Sequence, residues 1–381
     1  MNQPSILKSF AKELILCNRS RCAFCKVGCA TYNISNLEPL SARGKNTMAM
    51  GLIDGSMEIS ESLVERFLTC TLCGYCREKC PLQVNTVQII ESLRHYFVEN
   101  GFFNLNIQNL IQAIKECSNP YGKPAEERKT WSKGIGFKKN SKVLFYGGCV
   151  YSYKYPENLK MVMQVLKKAD LELNYLNSEA CCGYPLLVTG YQAEFENVMK
   201  ANVAVFSEHG VEKVIAACPS CVETLRRYKE YTRKADFEVY HITQQLHELI
   251  NEGRIQLVNK VSMKLAYHDP CHLARYLKII NEPREIIRSL PEVEFKELYH
   301  VGLDVRCCGG GGGLLTVNPV FSMRIAESRV KEACETGVGA IVTACPTCKS
   351  TLEVAAKRLK TRLKCVDLVE LLERAVVKPE C

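Results

Sequence analysis

Two Cys-Cys-Gly triplets are the residues of this sequence whose type and spacing point most directly to chemistry. The first is Cys181-Cys182-Gly183, and the second is Cys307-Cys308-Gly309, which continues as a glycine run to Gly313. Adjacent cysteines do not easily bridge to each other, because their side chains project from neighbouring backbone units. A thiol pair of this kind therefore predicts a bound metal.

Each triplet has a single cysteine before it in the chain and a Cys-x-x-Cys pair after it. The first cysteine set is Cys149, Cys181, Cys182, Cys218 and Cys221, and the second cysteine set is Cys271, Cys307, Cys308, Cys345 and Cys348. A thioredoxin-type dithiol or a zinc site is an alternative for the two Cys-x-x-Cys pairs. Neither alternative gives a role to the lone cysteine or to the doublet, so an iron-sulfur centre is favoured.

A further group of cysteines near the start of the chain has the spacing of a ferredoxin. Cys70-x2-Cys73-x2-Cys76-x3-Cys80-Pro81 is a full bacterial ferredoxin run, in which three cysteines hold one [4Fe-4S] cluster and the fourth ligates another. Position by position, cluster one takes Cys22, Cys25, Cys80 and one more ligand, and cluster two takes Cys29, Cys70, Cys73 and Cys76. Zinc is the alternative, but zinc sites rarely need eight thiols in such an interlocked spacing.

The fourth ligand of cluster one departs from the ferredoxin pattern. Arg19 stands where the first cysteine is expected, and Ala30 replaces the proline that usually follows Cys29. Cys17 lies two residues from Arg19 and would complete the site as Cys17-x4-Cys22-x2-Cys25. The alternative is a three-iron [3Fe-4S] cluster, and the sequence favours Cys17.

The cysteine count and the apolar pattern limit where the protein works. There are 22 cysteines in 381 residues, whereas disulfide frameworks belong to short secreted chains. Residues 1–17 carry charges where a secretory leader needs an apolar core. No apolar run approaches the ~20 residues that span a bilayer. We expect a cytoplasmic protein that reaches a membrane, if at all, only peripherally, through a partner subunit.

The formal charge of +9 does not predict a nucleic-acid partner. Lysine and arginine are spread along the chain without a dense basic stripe or interleaved aromatic residues. The count also ignores thiolates, and each cluster with four thiolates would bring about two negative charges. Four clusters would nearly cancel the excess.

The segments that must position the ten cysteines of the two cysteine sets occur twice in the sequence. Residues 143–149 match residues 265–271, residues 214–221 match residues 341–348, and residues 238–249 match residues 364–373. In each copy, apolar strand-like runs end at a cysteine and alternate with helical segments, which predicts short parallel sheets. Ligands gather at the carboxyl ends of such strands.

The predicted fold class is α+β, with a helical two-cluster domain ahead of two duplicated α/β domains. The predicted boundaries are residues 1–118 for the ferredoxin-type domain, 119–140 for a linker, 141–258 for the first repeat and 259–381 for the second repeat. Cys117, Cys334 and Cys365 fit neither cysteine pattern, and we expect them to be buried structural thiols.

Several residues beside the cysteines have alternative interpretations. The glycine run lacks the Lys-Ser/Thr of a phosphate-binding loop, so close backbone approach to a cluster is favoured. His268 and His272 flank Cys271 and could deliver a proton to a leaving thiolate at a pKa near neutrality, or simply brace the loop.

Arg275 could bind a substrate carboxylate or a neighbouring acid. Residues 41–45 could form a cationic loop that raises a cluster potential, or a solvated turn.

On these motifs the chain resembles the CCG-domain iron-sulfur oxidoreductases, which fuse N-terminal ferredoxin-type clusters to two CCG repeats. The run from Cys70 to Pro81, both five-cysteine sets and residues 268–272 carry the resemblance, which covers nearly the whole chain. The family includes the D subunit of heterodisulfide reductase and the iron-sulfur subunits of glycolate, D-lactate and glycerol-3-phosphate dehydrogenases. The chain departs from the family pattern at Arg19 and at Tyr184-Pro185. The second copy has glycines where Tyr184-Pro185 stands, which suggests that the first cysteine set is less open to substrate.

The resemblance implies that each complete five-cysteine set binds a noncubane [4Fe-4S] cluster, and that such a cluster cleaves the disulfide between coenzyme M and coenzyme B. The leading hypothesis is therefore a disulfide-reducing subunit that receives single electrons, with the second cysteine set, His268 and His272 as catalytic residues. The alternative is an electron conduit for a flavin-dependent dehydrogenase. Expected partners are a flavoprotein or a membrane cytochrome b-type subunit, together with a small thiol or disulfide. A zinc-built scaffold is a third, weaker hypothesis.

Overall fold

The N-terminal part of the chain is helical. The computed structural model describes residues 5–376. The helices of this part are α1 (Ser5–Lys8), α2 (Ala11–Ser20), α3 (Phe24–Val27), α4 (Ala30–Ser35), α5 (Ala42–Asp54), α6 (Glu61–Leu68), α7 (Tyr75–Glu78), α8 (Thr86–Glu99) and α9 (Leu105–Cys117). A single 3-10 turn, Glu38–Leu40, separates α4 from α5.

The longer helices of this domain begin at polar capping residues. A capping side chain accepts a hydrogen bond from a backbone N–H that would otherwise lack a partner in the first turn, which stabilises the helix by ~1 kcal/mol. The caps of α5, α6, α8 and α9 are Ser41, Ser60, Asn85 and Asn104. These caps fix where the helices start relative to the two cysteine runs.

The segment predicted as a linker is packed into the first repeat. Residues 119–140 hold α10 (Ala125–Arg128) and a 3-10 turn, Thr130–Ser132. The Trp131 side chain is 0% exposed and packs edge-on against Phe145 and Tyr175. The segment is therefore not a free tether, because its aromatic side chain belongs to the core of the first repeat.

The first repeat is a three-stranded parallel sheet with helices between its strands. Its elements are β1 (Val143–Tyr146), α11 (Cys149–Lys154), α12 (Pro156–Lys167), α13 (Tyr184–Thr189), α14 (Gln192–Glu208), β2 (Lys213–Ala216), α15 (Pro219–Tyr231), β3 (Glu238–His241) and α16 (Ile242–Asn251). The strand order is β1-β2-β3, with Val143 opposite Lys213 and Lys213 opposite Glu238.

The second repeat is a four-stranded parallel sheet of the same design. Its elements are β4 (Met263–Tyr267), a π-helix (His272–Tyr276), α17 (Asn281–Ser289), β5 (Val293–Lys296), a 3-10 turn (Gly302–Asp304), α18 (Leu314–Val317), α19 (Pro319–Glu335), β6 (Ala340–Thr343), α20 (Pro346–Arg358), β7 (Lys364–Asp367) and α21 (Leu368–Ala375). The order is β5-β4-β6-β7.

The two sheets confirm the duplication and the α+β class. Strands β1, β2 and β3 correspond to β4, β6 and β7, and the extra strand β5 corresponds to a single parallel bridge between Leu144 and Asn174. Helix α12 of the first repeat packs on α21 of the second, and α16 packs on α17. Since α12 corresponds to α17 and α16 to α21, the repeats pack about a pseudo-twofold axis.

The apolar core between the repeats is continuous. Leu159 and Val162 of α12 share one buried cluster with Leu371 and Leu372 of α21. A buried hydrogen bond, 2.5 Å long, also joins the Tyr151 hydroxyl to Asp367. The two repeats therefore share one hydrophobic core. In residues 5–376, no helix is long and apolar enough to cross a membrane.

Candidate iron-sulfur sites

The strands deliver the cysteines to one edge of each sheet, as predicted. Cys149 and Cys218 follow β1 and β2 in the first repeat, and Cys271 and Cys345 follow β4 and β6 in the second. All ten thiols of the two cysteine sets are buried. Burial of so many thiols without disulfide bonds is unusual unless they ligate a metal or cluster.

The first cysteine set forms a row of neighbouring thiols. Cys149 pairs with Cys181, which lies beside Cys182. Cys182 in turn pairs with Cys221, and Cys221 pairs with Cys218. The structure therefore brings together all five side chains, although they come from three separate segments of the chain.

The second cysteine set repeats this row. Cys271 pairs with Cys307, and Cys307 lies beside Cys308. Cys308 then pairs with Cys348, and Cys348 pairs with Cys345. The order of contacts follows the order in the first set, which is what a duplicated site requires.

The two cysteine sets touch each other, and one of them touches the ferredoxin-type domain. The Cys218 thiol of the first set lies beside the Cys345 thiol of the second. The Cys307 thiol lies beside Cys73, a predicted ligand of cluster two, and the two share a buried cluster. A continuous row of thiols thus crosses all three domains.

Contacts within the rows favour the thiolate form at particular positions. Hydrogen bonds from Cys181 and Cys221 lower the pKa of Cys182 to about 6. Hydrogen bonds from Cys221 and Cys345 likewise hold the pKa of Cys218 well below its ordinary value. A thiolate is the form that binds iron, so these sites are prepared for a metal.

The glycines beside the doublets allow backbone to approach sulfur and a neighbouring domain. The Gly309 N–H donates to the Cys307 sulfur at 3.3 Å, and the Gly183 N–H donates to the Cys181 sulfur at 3.4 Å. At Gly312, where φ is +62°, an added Cβ would lie 2.5 Å from the Cys70 carbonyl oxygen. The run therefore supports close packing around thiols, as expected, and not a phosphate site.

An arginine that the sequence reasoning missed lies against the first set. Arg128 is buried, and its guanidinium donates to the Cys149 sulfur at 3.3 Å and to Glu179 at 3.0 Å. Glu179 also accepts from the N–H groups of Gly147 and Gly148. No sequence signal marked Arg128, because it stands in the polar segment that reads as a linker.

His268 lies against the second set in its neutral form. A ring nitrogen of His268 and the thiols of Cys308 and Cys348 all lie within 4.8 Å of one another. Its Nδ1 accepts from the Arg329 guanidinium at 3.1 Å, so its proton is on Nε2, which is buried and has no partner in the described structure. Burial lowers the pKa of His268 to about 3, so the expectation of a near-neutral pKa is wrong.

His272 lies between the two repeats. Its Nε2 is 3.1 Å from the hydroxyl of Tyr184, which also accepts from the Gly312 N–H. The imidazole stacks on the Tyr276 ring at 4.6 Å, and its Nδ1 is buried without a hydrogen-bond partner in the described structure. Burial lowers the pKa of His272 to about 4, so this ring is also neutral at pH 7.

Arg275 has neither of the partners that the sequence suggested. Its guanidinium donates to the backbone carbonyls of Leu303, Val305 and Cys73. The expectation of a substrate carboxylate or an acidic neighbour is therefore wrong, because the π-helix buries this side chain against the loop of Cys73. Its role is internal to the junction between domains.

The eight N-terminal cysteines lie close together, and Cys25 and Cys29 adjoin each other across the two predicted ligand sets. Cys17 lies near the thiols of Cys80 and Cys22, and the Asn46 amide donates to its sulfur at 3.3 Å. The neighbours of Cys76 are headed by Cys70 and Cys73, followed by Cys29. Cys17 thus lies where cluster one needs a fourth thiol, and its role as a ligand stays a prediction.

Of the cysteines outside both patterns, the three within residues 5–376 do not share one environment. Cys117 and Cys365 are half-buried, whereas Cys334 is exposed on helix α19. The expectation of three buried structural thiols is therefore wrong, most clearly for Cys334. An exposed position on a helix face explains the difference, since only the apolar stripe of α19 faces the core.

The donor set fits iron-sulfur clusters better than any other group. The Nε2 atom of His268 is buried beside the thiols of Cys308 and Cys348 and lacks a hydrogen-bond partner in the described structure, whereas the Nδ1 atom of His272 lies 4.0 Å from the Glu223 carboxylate. Buried polar atoms are almost always hydrogen bonded, so the His268 N–H points to an acceptor such as cluster sulfide. Cys17, Cys22, Cys25 and Cys80 would hold cluster one, and Cys29, Cys70, Cys73 and Cys76 would hold cluster two. The two five-cysteine sets would hold the others.

Two domain families match the chain at these sites. The cysteine-rich domain family, CCG, matches residues 143–226 and 265–353. The 4Fe-4S dicluster domain family matches residues 15–84. The matched segments contain every predicted ligand, and they identify the bound groups as 4Fe-4S clusters.

Two relatives align along nearly the whole chain. The D subunit of dihydromethanophenazine:CoB--CoM heterodisulfide reductase from Methanosarcina barkeri is 31% identical over 380 residues, which is 93% of each chain. The probable iron-sulfur-binding oxidoreductase FadF of Bacillus subtilis is 27% identical over 400 residues, which is 96% of this chain and 56% of FadF.

A solved structure and these relatives agree on the arrangement of the chain. The crystal structure of a hypothetical protein from Helicobacter pylori aligns over 100% of this chain and 78% of its own, with a TM-score of 0.55 and 12% identity, which is a likeness of fold alone. The alignment with the D subunit covers 93% of this chain and so includes the 4Fe-4S dicluster domain and the two CCG domains that follow it. The protein therefore belongs to the CCG-domain iron-sulfur oxidoreductases, as an iron-sulfur electron-transfer protein.

Proposed function

We propose that this chain is the disulfide-reducing iron-sulfur subunit of an oxidoreductase complex. Its substrate would be a small disulfide of the coenzyme M and coenzyme B kind, and a flavoprotein or membrane cytochrome b-type subunit would supply electrons. The observation that carries the proposal is the contact between Cys73 and Cys307. It joins the ferredoxin-type domain directly to a cysteine set that lies beside an open cavity.

The order of ligand sets in space supports single-electron delivery. Cluster-one ligands adjoin those of cluster two through Cys25 and Cys29, cluster two adjoins the second set through Cys73, and the second set adjoins the first through Cys345. When bound, the clusters supply one-electron steps and an iron that can accept a substrate sulfur, so a two-electron cleavage need not occur at once. A simple dithiol could not divide the reaction in this way.

The second cysteine set has an approach from solvent. A cavity of about 420 Å³ reaches Cys307, and its walls include His300, Arg306, Ile325 and Lys331. The cavity is lined by charges of both signs, with the cations Arg306, Arg329 and Lys331 beside the carboxylates of Glu332 and Glu335. Cys307 itself is only 2% exposed, so water is largely excluded from the thiols while the cavity leads toward them.

His268 would act on substrate sulfur as a hydrogen-bond donor, and His272 would hold the Tyr184 hydroxyl in place between the two repeats. His268 holds its proton on Nε2, close to Cys308 and Cys348. The first set is closed over by Tyr184, which bonds to both His272 and Gly312. We therefore assign the substrate side to Cys271, Cys307, Cys308, Cys345 and Cys348, and an electron-storing role to the first set.

A second candidate function is an electron conduit for a flavin-dependent 2-hydroxyacid or glycerol-3-phosphate dehydrogenase. The similarity to FadF along 96% of this chain favours it, since FadF is named only as a probable iron-sulfur-binding oxidoreductase. In that role the chain would pass electrons between a flavoprotein and an acceptor without bond chemistry of its own.

The test is anaerobic purification followed by iron and sulfide analysis and EPR during an oxidative titration with coenzyme M. We expect about sixteen irons and a new paramagnetic signal that depends on the thiol. In Cys308→Ala that signal and heterodisulfide reduction by reduced viologen should be lost, while the exposed control Cys334→Ala behaves as wild type. Full iron content with no response to thiol would overturn the reductase and favour the conduit.

A further inference from the structure

Three buried cations surround residues 70–73, the cysteine loop through which the ferredoxin-type domain contacts the second repeat. Lys45, Arg94 and Arg275 are each 1% exposed. None of the three forms an ion pair with a carboxylate in residues 5–376, and their hydrogen-bond acceptors are backbone carbonyls. Buried charges are normally paired, so these cations need a negative group nearby.

Arg94 binds the backbone of all three domains through one guanidinium. One terminal nitrogen donates to the carbonyls of Val188, in the first repeat, and Gly312, in the second, at 2.6 and 2.7 Å. The other donates to the carbonyls of Phe67, Leu68 and Cys70, at 2.8, 3.1 and 2.8 Å. The positive charge is thereby fixed next to a ligand of cluster two.

Arg275 places a second fixed charge at the same junction. Its guanidinium donates to the Cys73 carbonyl at 2.9 Å and lies 5.2 Å from the centre of the Tyr75 ring. Cys73 is the thiol that contacts Cys307. This charge therefore lies where the ferredoxin-type domain meets the second cysteine set.

Lys45 supplies the third charge from helix α5. Its ammonium makes one hydrogen bond, to the Leu40 carbonyl at 2.8 Å, and faces the thiols of Cys70 and Cys29. Burial raises the pKa of the Cys70 thiol, and the charges of Lys45 and Arg94 oppose that rise. The three cations thus already act on the ligands of cluster two.

Cluster one has a different electrostatic environment. The cation beside its ligands is Arg43, which is half-exposed and donates to the carbonyls of Arg21 and Cys22 at 3.2 Å. Water screens an exposed charge, whereas a buried charge acts through a medium of low dielectric constant. The two ferredoxin-type clusters therefore experience unequal positive fields.

We infer that Lys45, Arg94 and Arg275 are positioning residues that hold the reduction potential of cluster two above that of cluster one. A cluster with four thiolates is negative and gains another negative charge on reduction, so fixed cations stabilise its reduced form. Electrons then collect at cluster two, next to the contact between Cys73 and Cys307. The inference rests on the ligand sets of the proposed function.

The experiment is an anaerobic reductive titration of the full-length protein, with both ferredoxin-type clusters followed by EPR. In Lys45→Met and Arg94→Gln we expect the cluster-two midpoint potential to become more negative, while that of cluster one moves less. Arg94→Lys keeps the charge but cannot make five hydrogen bonds, and it should retain a potential near that of wild type. Arg43→Gln is the matched control, with any shift confined to cluster one.

Several outcomes would overturn the inference. One is an unchanged cluster-two potential in Lys45→Met with the cluster fully present. Another is a potential in Arg94→Lys as low as in Arg94→Gln, since hydrogen bonds and not charge would then be responsible. If Arg94→Gln does not fold, Lys45→Met and Arg275→Gln decide. Wild-type protein without two ferredoxin-type signals would instead contradict the proposed ligand sets.

Discussion

Gly312 of the second repeat packs directly on the backbone of Cys70 in the ferredoxin-type domain. A Cβ built at Gly312 would lie 2.5 Å from the Cys70 carbonyl oxygen and 2.5 Å from the carbonyl carbon of Thr71. Atoms at that separation would clash, so only glycine allows this approach. The glycine run after the Cys307-Cys308 doublet thus takes part in the contact between two domains.

We expect Gly312→Ala to destabilise the protein more than Gly337→Ala. Both glycines have positive φ, +62° and +69°, so both substitutions cost ~1–2 kcal/mol in backbone strain. Only position 312 adds a clash, because the space around Gly337 is open, and overpacking typically costs a further ~1–3 kcal/mol. Anaerobic thermal midpoints measure the difference, and equal midpoints would show that the domains do not pack here.

Cys17→Ala should convert cluster one into a three-iron cluster. The Cys17 sulfur accepts from Asn46 and lies near Cys80 and Cys22, which are predicted ligands of the same cluster. EPR of the oxidised protein should gain a [3Fe-4S] signal, and the iron content should fall by about one. The half-buried Cys117, outside both cysteine patterns, gives the control Cys117→Ala. A wild-type spectrum in Cys17→Ala would mean that another group completes the cluster.

His241→Asn should reduce the loss of stability on acidification. Burial lowers the pKa of His241 to about 4, whereas the unfolded chain binds a proton below about 6.5. Between these values only the unfolded state is protonated. The free energy of unfolding therefore decreases as the pH is lowered, by roughly 2 kcal/mol from pH 6.5 to 5. Asparagine keeps the cap of α16 but does not titrate. Anaerobic thermal midpoints over this range should be flatter in the variant than in wild type.

Asp367→Asn should change the pH profile in the opposite direction. Asp367 caps α21 where His241 caps α16, and burial raises its pKa to about 6 from an ordinary 3.8. Between these values only the folded state keeps the proton, so this residue makes stability fall as pH rises, by roughly 1 kcal/mol from pH 5 to 6. The variant should lack this component in the same thermal measurement. Parallel profiles for variant and wild type would show that Asp367 ionises normally.

The sequence was sufficient where a local pattern fixes a position in space. Cys149, Cys218, Cys271 and Cys345 each end a strand-like run, and parallel strands bring such ends to one edge. These features depend on residues near one another in the chain, so pattern alone located them.

The sequence was insufficient where the partners are distant along the chain. Arg94 bonds to Gly312, and Tyr184 bonds to His272, across separations of 218 and 88 residues. Arg94 did leave one signal, because it stands in the apolar stripe of α8 with Ile90, Leu93 and Phe97. The neutral state of His268 likewise depends on burial, which a single flanking motif does not reveal.

Burial of all ten thiols in the two repeats also has a consequence for biogenesis. The helices of the two repeats pack on each other, and only the Cys307 end of the row adjoins a cavity. We therefore expect iron and sulfide to enter the more enclosed first set before the repeats close on each other.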